Sequence, residues 1–217
     1  MIKYANEKGL STMISTNAML MDEKICKEMI EAELDYLIVC LDGFSQKSLE
    51  SFRGKGIKLE TVKSNIEILM KIKGKKKKPF VTLQCIENNY NLSELKQVEN
   101  FAIKNNINKF HVKSLYIGTK SGNYEKKLGE FFSEKLKKKR KSNMKIKLKS
   151  CVLPKQQIAV TYLGDVCICC LDLNATYKVG NLLKESLRDI YKKKEYINTY
   201  KNGLNRKLSI CINCKND

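Results

Sequence analysis

Between residues 10 and 115 two hydrophobic periodicities take turns along the chain. The first apolar run, "LSTMIST" (10–16), has strand character, and Asp22 then caps a helix whose predicted inner face carries Ile25, Met29 and Ala32. "LDYLIVCLDG" (34–43) is almost continuously apolar, as expected of a strand covered on both faces, and it stops at Asp42-Gly43. Residues 60–73 place Val62, Ile66, Leu69 and Met70 on one helical face. A solvated lysine run (75–78) leads through Pro79 into the strand "FVTLQCI", where Thr82 and Gln84 oppose Val81 and Leu83. Asn91 and Glu94 read as an N-cap and its reciprocal partner, opening a helix with Leu95, Val98, Phe101 and Ala102 inward. The last run, "KFHVKSL" (109–115), points His111 and Lys113 away from Phe110 and Val112.

Repeated strand-helix units of this kind predict an α/β fold with a parallel sheet. If the strands curl, His111 and Lys113 line a concave interior. Residues 120–150 break the rhythm. The stretch "EKLKKKRKSNMKIKLK" (134–149) is too charged for a core and reads as a surface helix and connector. A separate unit opens at Cys151 with "CVLP". It continues through a hairpin "IAVTYLGDVCICC" turning at Leu163-Gly164-Asp165, the phrase "YKVGN", a helix near 183–194, and "CINC". The expected organisation is therefore a strand-helix unit over 1–118, a charged connector over 119–150 and a cysteine-rich module over 151–217.

Cysteine usage narrows the chemistry. The start "MIKYANEKGL" lacks a basic segment followed by an apolar core, and no run approaches membrane-spanning length, so a cytoplasmic protein is expected. In a reducing compartment, closely spaced thiols are metal ligands or redox groups more often than a disulfide framework. The odd count of nine cysteines also argues against full pairing. The formal charge of +19 comes almost wholly from lysine, with Arg53, Arg140, Arg188 and Arg206 the only arginines. Bidentate phosphate and base recognition favours arginine, and the 137–149 stretch carries no aromatic on which a base could stack. Neither nucleic acid nor a membrane is an expected partner.

Six of the nine cysteines, at 151, 167, 169, 170, 211 and 214, fall in the terminal module, enough thiolates for a four-coordinate site. On a strand after the turn, Val166, Ile168 and Cys170 share one face and Cys167 and Cys169 the other. That alternation makes Cys169 a ligand, Cys170 a core residue and Cys167 a spare, unless the site lies on the apolar side and recruits Cys170. Spacing does not separate zinc from iron-sulfur, since both accept four thiolates. A non-catalytic zinc or iron-sulfur module, or a peptide-recognition module, is the alternative to an enzyme.

Over nearly its whole length the chain resembles the radical S-adenosylmethionine (SAM) enzymes that carry a C-terminal SPASM domain. Thr16-Asn17-Ala18 and Cys40-Leu41-Asp42-Gly43 are each one residue away from the "TNG" and "S-x-D-G" phrases that border the SAM site in that family, and "SFRGKG" (51–56) resembles the loop that follows. Cys151, twelve residues, Gly164, four residues and Cys169 reproduce the SPASM spacing. The resemblance implies a partial (β/α) TIM-like barrel, with Asn17, Cys40 and Asp42 as SAM-binding residues. It further implies Cys151, Cys169, Cys211 and Cys214 as ligands of one auxiliary 4Fe-4S cluster. It implies a 5'-deoxyadenosyl radical that modifies a peptide or small-molecule substrate, and an electron donor such as flavodoxin or ferredoxin. No C-x3-C-x2-C loop, which binds the SAM-cleaving cluster in the family, occurs in the 217 residues, nor does the family's "GGE" phrase. Two strand-helix units, roughly 60 to 80 residues, are expected to be missing before Met1, leaving a chain inactive toward SAM by itself. Cys26, Cys40 and Cys85 lie on different predicted elements and cannot replace the loop.

Overall fold

The computed structural model describes residues 1–115, 129, 131–132, 136, 150–211 and 214. These fall into two compact units, one holding the described residues up to 136 and the other those from 150. Most of the expected 119–150 connector lies outside the described residues.

The first unit runs α1 (Ile2–Glu7), β1 (Met13–Thr16), α2 (Glu23–Glu31), β2 (Tyr36–Cys40), α3 (Gln46–Arg53), α4 (Leu59–Lys73), β3 (Phe80–Glu87), α5 (Leu95–Lys104) and β4 (Lys109–Ser114). All neighbouring strands are parallel, in the order β1-β2-β3-β4. A sequential order has no reversal point, so handed crossovers bring every helix to the same side, as in an arc of a (β/α) barrel. Burial agrees. Leu37, Val39, Val81, Leu83 and Cys85 are fully buried, against Cys26, Met29 and Ile30 of α2, Val62, Ile66 and Leu69 of α4, and Val98, Phe101 and Ala102 of α5. The alternate residues face the other way and keep solvent contact, including Tyr36, Phe80, Gln84 and His111. The fold is α/β, a partial TIM-like barrel.

Two expectations change. β2 is covered on one face among the described residues, because its apolar run combines buried Leu37 and Val39 with Tyr36 and Ile38 on the open side. Helix α2 is rotated from the predicted face. The Asp22 carboxylate accepts from the Ile25 amide at 2.8 Å, and Cys26 turns inward while Ile25 is exposed.

The carboxyl ends of β2 and β3 are joined by buried polar side chains. Asp42 is fully buried; one oxygen accepts from the Ile86 amide at 2.6 Å and the other from the Arg53 guanidinium. Burial pushes the Asp42 carboxyl up, and Arg53 and the Ile86 amide offset this only in part. Asn91 is not the expected helix cap. Its amide donates to the carbonyls of Asp42 and Ile86, each at 2.8 Å, which joins the two strand ends. Glu94 likewise serves another helix, accepting from the Phe44 amide at 2.5 Å, the Ser45 amide at 3.2 Å and the Ser48 hydroxyl at 2.5 Å at the start of α3. Gly43 makes this approach possible, because a Cβ there would lie 2.3 Å from Ser48 Oγ.

The second unit contains α6 (Leu153–Gln156), β5 (Ala159–Val160), β6 (Asp165–Cys167), β7 (Lys178–Asn181), α7 (Leu187–Lys192), α8 (Lys194–Leu204) and a 3-10 turn (Ser209–Cys211). Its strands are antiparallel in the order β5-β6-β7, and the expected hairpin turns at Gly164, whose φ of +80° suits glycine. The single helix expected near 183–194 is replaced by α7 and α8, which meet at extended Lys193. Val166, Ile168, Val179, Ile190 and Leu208 form the core. No described helix is long and apolar enough to cross a membrane.

Glu94 generates a prediction. Burial pushes its carboxyl up, but the Ser45 and Ser48 hydroxyls and the Phe44 and Ser45 amides outweigh this and hold it below the ordinary glutamate value of 4.5. A lowered folded pKa gives stability that is present above that value and lost as pH falls through the lower one. Glu94→Ala is expected to cost about 1–3 kcal/mol in urea unfolding at neutral pH. The advantage of wild type over Glu94→Gln should vanish in acid, and a pH-independent gap between the two would contradict the assignment.

Candidate metal centre

The second unit has a partly open pocket lined by Cys151, Cys169, Cys211 and Cys214 together with apolar side chains and Arg206. The apolar wall comes from Leu153, Pro154, Ile168, Leu171, Leu208 and Ile210. Gly203 of α8 permits close packing there, since a Cβ would lie 2.4 Å from Ile168 Cδ1.

The four thiols arrive on three pieces of backbone. The Cys151 amide donates to the Leu204 carbonyl at 2.8 Å, pinning the start of the unit to the end of α8. Cys169 follows β6. Cys211 and Cys214 share the last turn, closed by Cys211 N to Leu208 O at 2.9 Å and Cys214 N to Cys211 O at 3.2 Å. Tyr177 anchors that turn: its hydroxyl donates to Ser209 Oγ at 2.9 Å and accepts from the Ser209 amide at 3.0 Å.

Burial pushes the Cys169 thiol up to about 11, a backbone hydrogen bond from Leu171 works against it, and the neighbouring Cys170, Cys214 and Cys211 add to the rise. Cys211 is also raised, by burial first. Sulfur ligands act as thiolates, so a cation entering this pocket must displace protons. Soft thiolates suit zinc or iron-sulfur and suit hard cations poorly. Among the described residues, no three Cys, His, Asp or Glu side chains converge closely enough to hold a single ion.

Cys167 and Cys170 do not line the pocket. The strand ends at Cys167 with an irregularity between Val166 and Cys167, so strand alternation stops before residues 168–170. Cys170 is therefore exposed, not in the core, and its sulfur accepts from Gln157 Nε2 at 3.3 Å. Cys167 is buried and pushed up to about 11 by burial and then by Asp172. Asp172 accepts from the Thr176 amide at 2.9 Å and the Tyr177 amide at 2.8 Å, which orders the loop into β7.

Asn17, Cys40 and Asp42 stand at the carboxyl ends of β1 and β2. Asn17 is exposed and its side-chain oxygen accepts from the Met19 amide at 3.1 Å. Cys40 lies on the open face, 3.7 Å from Ser15 Oγ and 3.8 Å from Gln84 Nε2. Asp42 has no exposed carboxylate, since both oxygens are engaged within the protein.

The described residues thus comprise a parallel strand-helix unit of barrel type and a small unit with four cysteines around one apolar pocket. Residues 151–215 match the SPASM family, an iron-sulfur cluster-binding domain. A 51-residue stretch, 24% of this chain and 12% of the relative, is 43% identical to Fe-coproporphyrin III synthase of Methanosarcina barkeri. Among solved structures, anSMEcpe with bound AdoMet superposes with a TM-score of 0.61 at 13% identity, over 93% of this chain and 62% of that one. Streptococcus suis SuiB bound to S-adenosylmethionine gives 0.61 at 15% identity, over 90% and 51%. The chain thus spans less than two thirds of these proteins.

The cysteine environments predict an alkylation pattern. When the folded, metal-free chain is treated briefly with iodoacetamide near neutral pH, mass spectrometry should find Cys170 modified first and Cys26, Cys85 and Cys167 last. The protected three are buried thiols pushed up to about 11, 12 and 11 respectively. Equal labelling of Cys167 and Cys170 would contradict the strand end at Cys167.

Proposed function

We propose that the second unit holds one 4Fe-4S cluster through Cys151, Cys169, Cys211 and Cys214, within a radical SAM/SPASM protein that modifies a peptide. The observation that carries this reading is the single apolar pocket shared by these four thiols and not by Cys167 or Cys170. The family match over residues 151–215 supports an iron-sulfur cluster as the group's chemical type. When bound, such a cluster supplies one-electron transfer. The surrounding residues exclude water, hold the thiolates apart and donate the Leu171 amide to Cys169.

The barrel unit would offer SAM the carboxyl edge of its sheet, where ligands gather in parallel strand-helix folds. Asn17 and Cys40 are the side chains with access to a ligand there, while Asp42 acts from behind by fixing the β2–β3 turn through Ile86 and Arg53. Peptide is the favoured substrate class because anSMEcpe, solved with AdoMet and the Kp18Cys peptide, shares this fold over 98% of the chain with a TM-score of 0.58. A flavodoxin or ferredoxin is the class of electron donor that would serve the site. With no C-x3-C-x2-C in its sequence, the 217-residue chain does not itself cleave SAM.

Two experiments test these statements. After anaerobic reconstitution, Cys169→Ser should lose most of its bound iron and sulfide while Cys170→Ser retains both; the reverse pattern would overturn the ligand set. Incubation of the reconstituted chain with SAM and dithionite should yield no 5'-deoxyadenosine above background, and repeated turnover would refute that part of the proposal.

A further inference from the structure

Helix α8 ends in a backbone arrangement that ordinarily selects glycine. The Lys207 amide donates to the Asn202 carbonyl at 2.8 Å and the Arg206 amide to the Gly203 carbonyl at 3.0 Å, the paired bonds of a Schellman ending. The residue between, Arg206, has φ of +53°, a left-handed conformation that costs a residue with a Cβ roughly 1–2 kcal/mol. Sequence preference alone would put Gly or Asn there. Strain of this kind, held in place by its surroundings, points to a use for the side chain.

The pocket suggests that use. Four thiolates around an iron-sulfur core leave a net negative charge, and burying such a charge in an apolar wall is costly without a counter-charge. Among the described residues, the pocket lining apart from the cysteines is glycine, proline and aliphatic side chains, with Arg206 its one formally charged residue. Its positive charge already opposes the upward push of burial on Cys211. A fixed guanidinium favours the more negative, reduced form of the cluster over the oxidised one, so it raises the potential as well as retention.

Resting on the cluster assignment above, we propose that Arg206 is a positioning residue that balances the charge of the ligated cluster and sets its reduction potential. The test uses the full chain, anaerobically reconstituted, with a dithionite titration followed by electron paramagnetic resonance. Arg206→Gln should lower the potential, decreasing the reduced-to-oxidised ratio at the wild-type midpoint by threefold or more, where tenfold corresponds to about 59 mV for one electron. Arg206→Gly removes the backbone strain, so its metal-free form should be at least as stable as wild type to urea while showing the same lowered potential. Arg206→Lys keeps the charge and should stay near wild type. Loss of the cluster in Gln and Gly variants with retention in Lys also supports the proposal. Unchanged potentials in Gln and Gly, or a Lys variant as impaired as Gln, would overturn it. Failure of wild type itself to take up iron and sulfide would instead refute the cluster assignment.

Discussion

The second unit depends on a conflict between burial and ionisation, seen at Cys169 and Cys211 of its cysteine pocket. Val166, Ile168, Val179, Ile190 and Leu208 make a thin core for a unit of this size, and small units with thin cores need a cross-link or a metal to hold them. The thiols that could provide the cross-link line one apolar pocket, and burial opposes the charge at two of them, Cys169 and Cys211. A cationic centre bound there would resolve both deficits: it would stabilise the thiolates electrostatically and tie together Cys151, the β6 end and the last turn. Ligand binding then becomes part of the folding free energy of this unit.

The barrel unit solves its own polar burial without a cofactor. At the carboxyl ends of β2 and β3, Asp42 accepts from Arg53 and the Ile86 amide, Asn91 donates to the Asp42 carbonyl, and the donors at the start of α3 find Glu94. These contacts hold the strand ends in register. The adjoining open face, with Cys40, Gln84 and His111 in one row across β2, β3 and β4, is left to whatever the sheet binds.

The four parallel strands were legible because each apolar run is short and bounded by turn residues, and α4 because Val62, Ile66, Leu69 and Met70 keep helical spacing. The face of α2 was misjudged because a cysteine, Cys26, packs where Ile25 had the greater hydrophobicity. Asn91 and Glu94 have the local spacing of a cap, yet their partners are residues far off in the chain, and no local pattern encodes such pairing. Cys170 was assigned to the core by extending strand alternation past Cys167, where an irregularity ends it. Helix α8 went unread since Lys193 allows one continuous polar pattern to bend into two helices. The grouping of Cys151, Cys169, Cys211 and Cys214 followed from resemblance to a family spacing, and Arg206 carried no signal until its conformation and place in the pocket were known.

The nature of the group held by the four thiols is tested most directly by Mössbauer spectroscopy of the full chain reconstituted with iron-57 and sulfide. A cysteine-ligated cluster predicts the quadrupole doublets of a diamagnetic 4Fe-4S centre accounting for nearly all bound iron. Iron present only as adventitious ferrous or ferric species, with zinc retained by the same cysteines, would contradict it.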